Sequence, residues 1–486
     1  MNIPFPPFEP DRSNFTGSAS ANAVNVQPVA DGWGPMPDLV EISQALASEC
    51  RGAVYVRDST GNYVIIAGTE TRLYRLDTTD YSWDDISGPS APYSVPLGDA
   101  WVFTRFGTQL LIHNLNNPIQ VYDIEAAGVC ADLAGSPPKA RYSWVSGDFV
   151  VLGYLEGANG ERIVRWSGLN DCEFWTIGKK GADFQELPEG DEIMGGFADQ
   201  GGFSVIQRAA MQFFPFAPSS GFTFTRSVLN PKQGTIAPRS IVSIGPGKFF
   251  YYSEDGFFGG AQRQPIGAER VDRWFLEQID ESYLGDVQGV ADPYEKIVWW
   301  KYRQANGQYR RLGYDWQLDR WCQSDQQVGE VVALTTPGVT WDGLSALYPD
   351  IDAVDVPFDS RIFLGGRPTM ATFTTDNKLA FFSGSPLAAT IDTADVEINQ
   401  TYRTFISGIR VVTDAPTYTV KDGTSDFHGG TVTFSSASSP NRAGLCPLRS
   451  DGRLHKIRLE IAAATIWSVV SAANVPDNNI TPSGEQ

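Results

Sequence analysis

The 486-residue chain is 42% apolar and only 19% charged, enough hydrophobic content for a sizeable core and too much for wholesale disorder. Lys and Arg number 37 against 57 Asp and Glu, a formal charge of −20. That balance makes the chain a poor candidate for wrapping nucleic acid, because phosphate contacts rest on Lys and Arg. The same acidity suits a surface past which DNA slides without sticking, and it equally serves solubility.

Residues 1–47 read as an extended arm ending in a short helix. Pro4, Pro6, Pro7 and Pro10 forbid helix at the start. Residues 23–29 alternate as a docking strand, and residues 38–47 place Leu39, Ile42 and Leu46 on one helical face. No basic and apolar leader follows Met1, and no apolar run reaches the ~18 residues of a transmembrane helix. The chain is therefore expected to be made in the cytoplasm with no membrane-spanning segment.

Residues 48–390 predict a β-propeller. Six strand groups begin near Gly52, Ala100, Tyr142, Ile193, Ile241 and Gly289. Each holds about four short apolar strands joined by Gly-rich turns, such as those at 59–62, 245–247 and 254–256. Their last strands recur near Trp83, Asp132, Trp175, Phe222, Trp274 and Trp321, 43 to 52 residues apart. That is the period of a propeller blade, and radial stacking covers both apolar faces of each sheet. A pair of β-sandwiches would show shorter turn spacing and no recurring unit. Residues 268–276 predict a second helix.

Residues 340–358 form a less regular loop. Its Asp350, Asp352 and Asp355 are a candidate calcium site, although such a run is more often a solvated loop. Strands at 361–363, 369–373 and 379–382 are expected to make a last blade closed by an N-terminal strand, for about six to seven blades in all. Residues 391–475 alternate cleanly and predict a small β-sandwich. Residues 476–486 are polar and read as a flexible tail.

Catalytic patterns are sparse. Cys50, Cys130, Cys172, Cys322 and Cys446 are far apart and odd in number, which predicts free, mostly buried thiols. His113, His428 and His455 are too scattered to suggest a metal site or a triad, and His113, at a strand end, reads as structural. Residues 245–248 are a hairpin turn, not a phosphate loop. The densest acidic run, Glu186, Glu189, Asp191 and Glu192, is the best candidate for a glycosidase pair, and it falls in a Gly/Pro loop. Residues 253–256 (SEDG) resemble part of a sialidase Asp-box but lack its later Thr-Trp, and so predict an ordinary turn. The tryptophans are read as blade packing. On these grounds no catalytic, cofactor-binding or metal residue is assigned, and the chain is read as non-enzymatic.

Several stretches resemble a family of phage tail proteins. They are residues 25–37 (NVQPVADGWGPMP), 50–53 (CRGA), 132–141 (DLAGSPPKAR), 148–153 (DFVVLG), 164–171 (VRWSGLND), 234–240 (GTIAPRS), 253–257 (SEDGF), 265–274 (PIGAERVDRW) and 381–389 (FFSGSPLAA). The family is similar to the tail nozzle or hub proteins of short-tailed bacteriophages, also described as tail tubular or packaged-DNA-stabilising proteins. The resemblance implies a structural virion protein: a subunit of a hexameric ring below the portal and adaptor, or head-tail connector. Such a ring forms part of the DNA exit channel, retains packaged DNA until ejection and anchors tail fibres or spikes. Genomic DNA would pass its lumen without sequence-specific binding. The alternative is a glycan-binding or glycan-cleaving propeller for host attachment. A trimeric receptor-binding fibre is a weaker third reading.

Overall fold

A computed structural model describes residues 1–13, 18–126, 128–335, 350, 368–399 and 401–485. It is nearly all β, and its centre is a β-propeller. Six four-stranded antiparallel blades follow one another in sequence. Blade one comprises Ala53–Arg57, Tyr63–Gly68, Leu73–Leu76 and Trp83–Asp85. The inner strands of blades two to six are Val102–Phe106, Ala140–Ser146, Ile193–Asp199, Val242–Gly245 and Gln288–Asp292. A seventh four-stranded sheet, Val331–Thr335, Pro368–Phe373, Leu379–Pro386 and Pro37–Glu41, lies between blades six and one and closes the ring.

The burial gradient explains why these strands were legible. The second strands, such as Gly202–Gln207 and Ile297–Arg303, are covered on both faces by neighbouring blades and are almost wholly buried. They therefore read as continuous apolar runs. The outer strands Asp183–Glu186 and Ser227–Asn230 are mostly exposed and carry weaker patterns. Separate clusters fill several interfaces, such as Ile66, Tyr93 and Ile112 between blades one and two and Trp166, Phe203 and Phe224 between three and four, whereas blades five and six share one large cluster with the C-terminal strands. Fully burying one such side chain contributes roughly 1.5–3 kcal/mol. Phe203 stacks on Phe214 with ring centroids 4.7 Å apart, and Phe224 meets Phe203 edge-on at 4.9 Å. Gly107 and Gly147, at φ +63° and +56°, turn the chain between the first two strands of blades two and three.

Several expectations are corrected. The helix predicted over 38–47 is a strand, Pro37–Glu41, with Val40 opposite Phe381. The open edge of the seventh sheet supplies main-chain partners that outweigh the weak helical pattern. The strand predicted over 23–29 is split at Asn25, where φ is 58°, into Ala23–Val24 and Val26–Val29. The expected last strands near Trp175 and Phe222 are displaced to Asp183–Glu186 and Ser227–Asn230. Trp175 and Phe224 turn inward as plugs between blades instead. The predicted helix at 268–276 is present as Asp272–Gln278, the one α-helix among the described residues. Among those residues no helix is long and apolar enough to cross a membrane.

The C-terminal strands share their sheets with the N-terminus, so residues 391–475 do not stand as a self-contained sandwich. One sheet joins Asn2–Pro4, Val26–Val29 and Gly32–Pro35 to Tyr402–Thr413, Cys446–Gly452, Val470–Asn474 and Ile480–Glu485. The other runs from blade six through Ala23–Val24 to Ala389–Asp392, Leu454–Ile461 and Thr419–Ser425. The expected flexible tail is mostly the strand Ile480–Glu485, paired with the long strand Tyr402–Thr413. That strand offers backbone donors and acceptors that outweigh the tail's polarity. The strand expected at 361–363 lies outside the described residues, as do Asp352 and Asp355 of the calcium candidate.

Candidate functional site

The acidic run between blades three and four is taken up in ion pairs. Glu189 accepts hydrogen bonds from Arg226 at 2.8 and 3.2 Å, Glu192 from Arg208 at 3.0 and 2.6 Å, and Asp191 from Arg162 at 3.4 Å. The Arg226 hydrogen bonds hold the Glu189 carboxyl below its ordinary pKa. Glu186 is exposed on the outer strand of blade three. Residues 253–256 are a tight turn in which Asp255 pairs with Arg263. Residues 245–248 are likewise a turn, with Gly245 opposite Lys248. All five cysteines are free and buried.

The structure places His113 and His455 in different sheets. Burial lowers the His113 pKa to about 4, so its ring is neutral at neutral pH. Its Nδ1 lies 2.8 Å from the Ala140 carbonyl oxygen, which can only accept, so Nδ1 carries the proton. Nε2 then accepts from the Ser143 hydroxyl at 2.6 Å, and Ser143 Oγ lies 2.6 Å from Thr104 Oγ1. The chain of bonds joins blade two to blade three. In the C-terminal strands, His455 Nδ1 lies 2.6 Å from Asp422 Oδ2 in full burial. Ser450 donates to that same carboxylate oxygen and not to the imidazole, so the trio lacks the order of a nucleophilic triad.

A different site emerges where inner strands begin. Residues leading into the inner strands of blades one, two, five and six and of the seventh sheet converge on a cavity of about 100 Å³. Its floor is Lys301, on the second strand of blade six opposite Gln288. Lys301 is only 9% exposed; its Nζ donates to the Gly329 carbonyl at 2.8 Å and sits 4.9 Å from the Tyr309 ring centroid. Burial draws its pKa down to about 8, against the pull of Glu330. Glu330 is paired with Arg239 and also accepts from Gln288 Nε2 at 3.0 Å. Arg303 lies 4.1 Å over the Tyr283 ring, and its Nε is buried without a hydrogen-bond partner. Cys50 also lines the cavity, with its thiol pushed well above its ordinary pKa by burial, so it stays protonated and inert. Sequence reasoning missed this site because short segments of several blades, far apart in sequence, build it. One signal was present: a lysine inside the apolar run of residues 296–303 (KIVWWKYR).

The outer rim of blades three and four carries the second feature. Ile177, Phe184, Phe216, Phe222, Val228 and Leu229 are each between 40% and 63% exposed. Thr223 Oγ1 donates to the Gly181 carbonyl at 2.7 Å and holds the two outer portions together. Six large apolar side chains exposed on the outer strands and turns of two adjoining blades are a candidate contact surface.

No family model matches the chain, and no curated protein matches it. Among solved structures it is similar to the computationally designed Ika8 protein, at 11% identity over 78% of this chain and 99% of that one, with a TM-score of 0.38. It is similar to the WD40 domain of coronin from Toxoplasma gondii, at 11% identity over 74% and 88%, with a TM-score of 0.38. It is also similar to BamB from Moraxella catarrhalis, at 11% identity over 74% and 96%, with a TM-score of 0.34. Nothing of what those proteins do passes to this chain at such values. Its own sheet arrangement defines it as an all-β propeller protein.

Proposed function

We propose that the chain is a structural subunit of a phage tail nozzle or hub, assembling into a hexameric ring below the portal and adaptor. The ring forms part of the DNA exit channel, retains packaged DNA and anchors fibres or spikes. The observation that carries this reading is the apolar rim of blades three and four, a surface suited to a neighbouring copy of the same chain. The family-like stretches support it further. Residues 148–153 and 164–171 lie in blade three, beside that rim, and residues 234–240 lead into blade five. The charge of −20 would keep a DNA-facing lumen from binding phosphates.

Mass photometry and negative-stain imaging of the purified chain test the reading. Closed six-fold rings are expected, and antibody against the chain should label the tail of virions. A persistent monomer that depolymerises host glycan would overturn it in favour of the attachment alternative.

A further inference from the structure

We propose that the tip of the N-terminal arm, residues 9–13, is a pH-sensitive latch: ionisation of Asp272 beside the arm's Asp11 loosens its hold on blade five. The tip is held at three places. The Glu9 N–H donates to the Ser20 carbonyl at 2.9 Å, and the Asp11 N–H donates to the Arg270 carbonyl at 3.0 Å. The Asp11 carboxylate accepts the N–H groups of Arg273 and Trp274, both at 2.8 Å. Those last two bonds set a carboxylate of the arm against the residues that directly follow Asp272. Asp11 and Asp272 both line one open cavity of about 800 Å³, so water reaches the joint. When both are ionised they are like charges on its two sides.

The Asp272 carboxyl is poorly placed to carry charge. It packs so closely on Gly256 and Gly267 that a Cβ there would lie 2.2 and 2.0 Å from its oxygens. It accepts the Phe257 N–H at 3.1 Å. The cations around it are committed elsewhere: Arg12 to Glu9 at 3.0 Å, Arg273 to Asp11 at 3.8 Å, and Arg263 to Asp255. Glu269 adds another carboxylate to the cavity wall, and the Tyr252 hydroxyl, on the second strand of blade five, feels the Asp272 charge. Burial, opposed by the Phe257 N–H and reinforced by Asp11, raises the Asp272 pKa from 3.8 to about 7. Because Asp11 belongs to the arm, the coupling is reciprocal: a docked arm favours the proton on Asp272, and loss of that proton weakens the arm. The latch is therefore fully held below 3.8 and is released as pH rises through about 7.

The test is hydrogen–deuterium exchange of the full chain between about pH 5.5 and about pH 8.5, either side of the Asp272 value, with rates corrected for the intrinsic pH dependence of amide exchange. Residues 9–13 are expected to lose protection roughly fivefold or more across that range, while the buried strand Ile297–Arg303 keeps its own. Asp272→Asn and Asp11→Asn each remove one of the two charges and keep a hydrogen-bond acceptor, so protection of the tip should stay level in both. Either variant alone decides the matter if the other fails to fold. Protection of the wild-type tip that does not fall with pH, or a fall of the same size in either variant, overturns the latch.

Discussion

Asp11 accepts the backbone N–H of Trp274 at 2.8 Å, across 263 residues of sequence. The other oxygen of the same carboxylate accepts the Arg273 N–H at 2.8 Å, so the N-terminal arm caps the helix Asp272–Gln278. Two positions earlier, Glu9 accepts from Arg270 Nε at 2.7 Å, and Phe8 meets Trp274 edge-on with centroids 5.2 Å apart. The arm is thus an integral strap across blade five. Asp11→Ala removes a cap and should cost about 1 kcal/mol. Limited proteolysis should cut the variant within the arm faster than the wild type, and equal rates would deny the strap its role.

Asp272 sits beside that cap. Burial raises its pKa to about 7, with the Asp11 charge adding to the effect and the Phe257 N–H opposing it. A carboxyl raised in the folded state stabilises the fold fully below its unfolded pKa. That contribution is lost as pH rises from 3.8 to about 7. Asp272→Asn should flatten this part of the stability profile. Urea midpoints measured at several pH values for both proteins provide the check; parallel profiles would count against it.

His113 behaves in the opposite sense. Its pKa falls from 6.5 to about 4 on folding, so the unfolded chain takes up a proton first as pH drops. Stability associated with the ring is present above 6.5 and lost as pH falls towards 4, an effect on the order of 3 kcal/mol. His113→Asn should remove that acid sensitivity while loosening the contact between blades two and three. An NMR titration of the His113 ring giving a mid-point near 6.5 would refute the assignment.

Glu330 holds Arg239 and Gln288 together and lies close enough to support the Lys301 charge. Glu330→Gln keeps the shape but leaves buried cations uncompensated, at a cost of about 3 kcal/mol. Thermal unfolding should show a clear drop; without the Glu330 charge the Lys301 pKa falls further, so raising pH towards 10.5, the ordinary lysine value, should recover part of it.

Phe222→Asp and Val228→Asp alter exposed rim positions, at 63% and 47% exposure, and should change monomer stability by no more than about 0.5 kcal/mol. In the proposed ring they should shift the population to monomers in sedimentation velocity. Intact rings in both variants would move the interface elsewhere.

The blades were legible because each second strand is buried on both faces, so its apolar run survives in the sequence, as at 148–153 and 296–300. The seventh sheet was legible only in part. Leu379–Pro386 was anticipated, but its partner Pro37–Glu41 was read as helix because nothing local signals a strand neighbour more than 330 residues away. Trp175 misled in another way: aromatic residues mark both strands and interblade plugs, and composition does not separate the two. The Lys301 cavity was illegible as a whole, since its lining runs from Glu49 to Glu330 in short stretches far apart in sequence. Local pattern carries burial, but convergence about an axis is a property of the closed ring.

Closure by Pro37–Glu41 also orders biogenesis. Pro37–Glu41 leaves the ribosome more than 330 residues before the strand it joins, Leu379–Pro386. A nascent chain that ends before that strand holds an incomplete circle with two raw flanks, the kind of exposed strand edge that promotes aggregation.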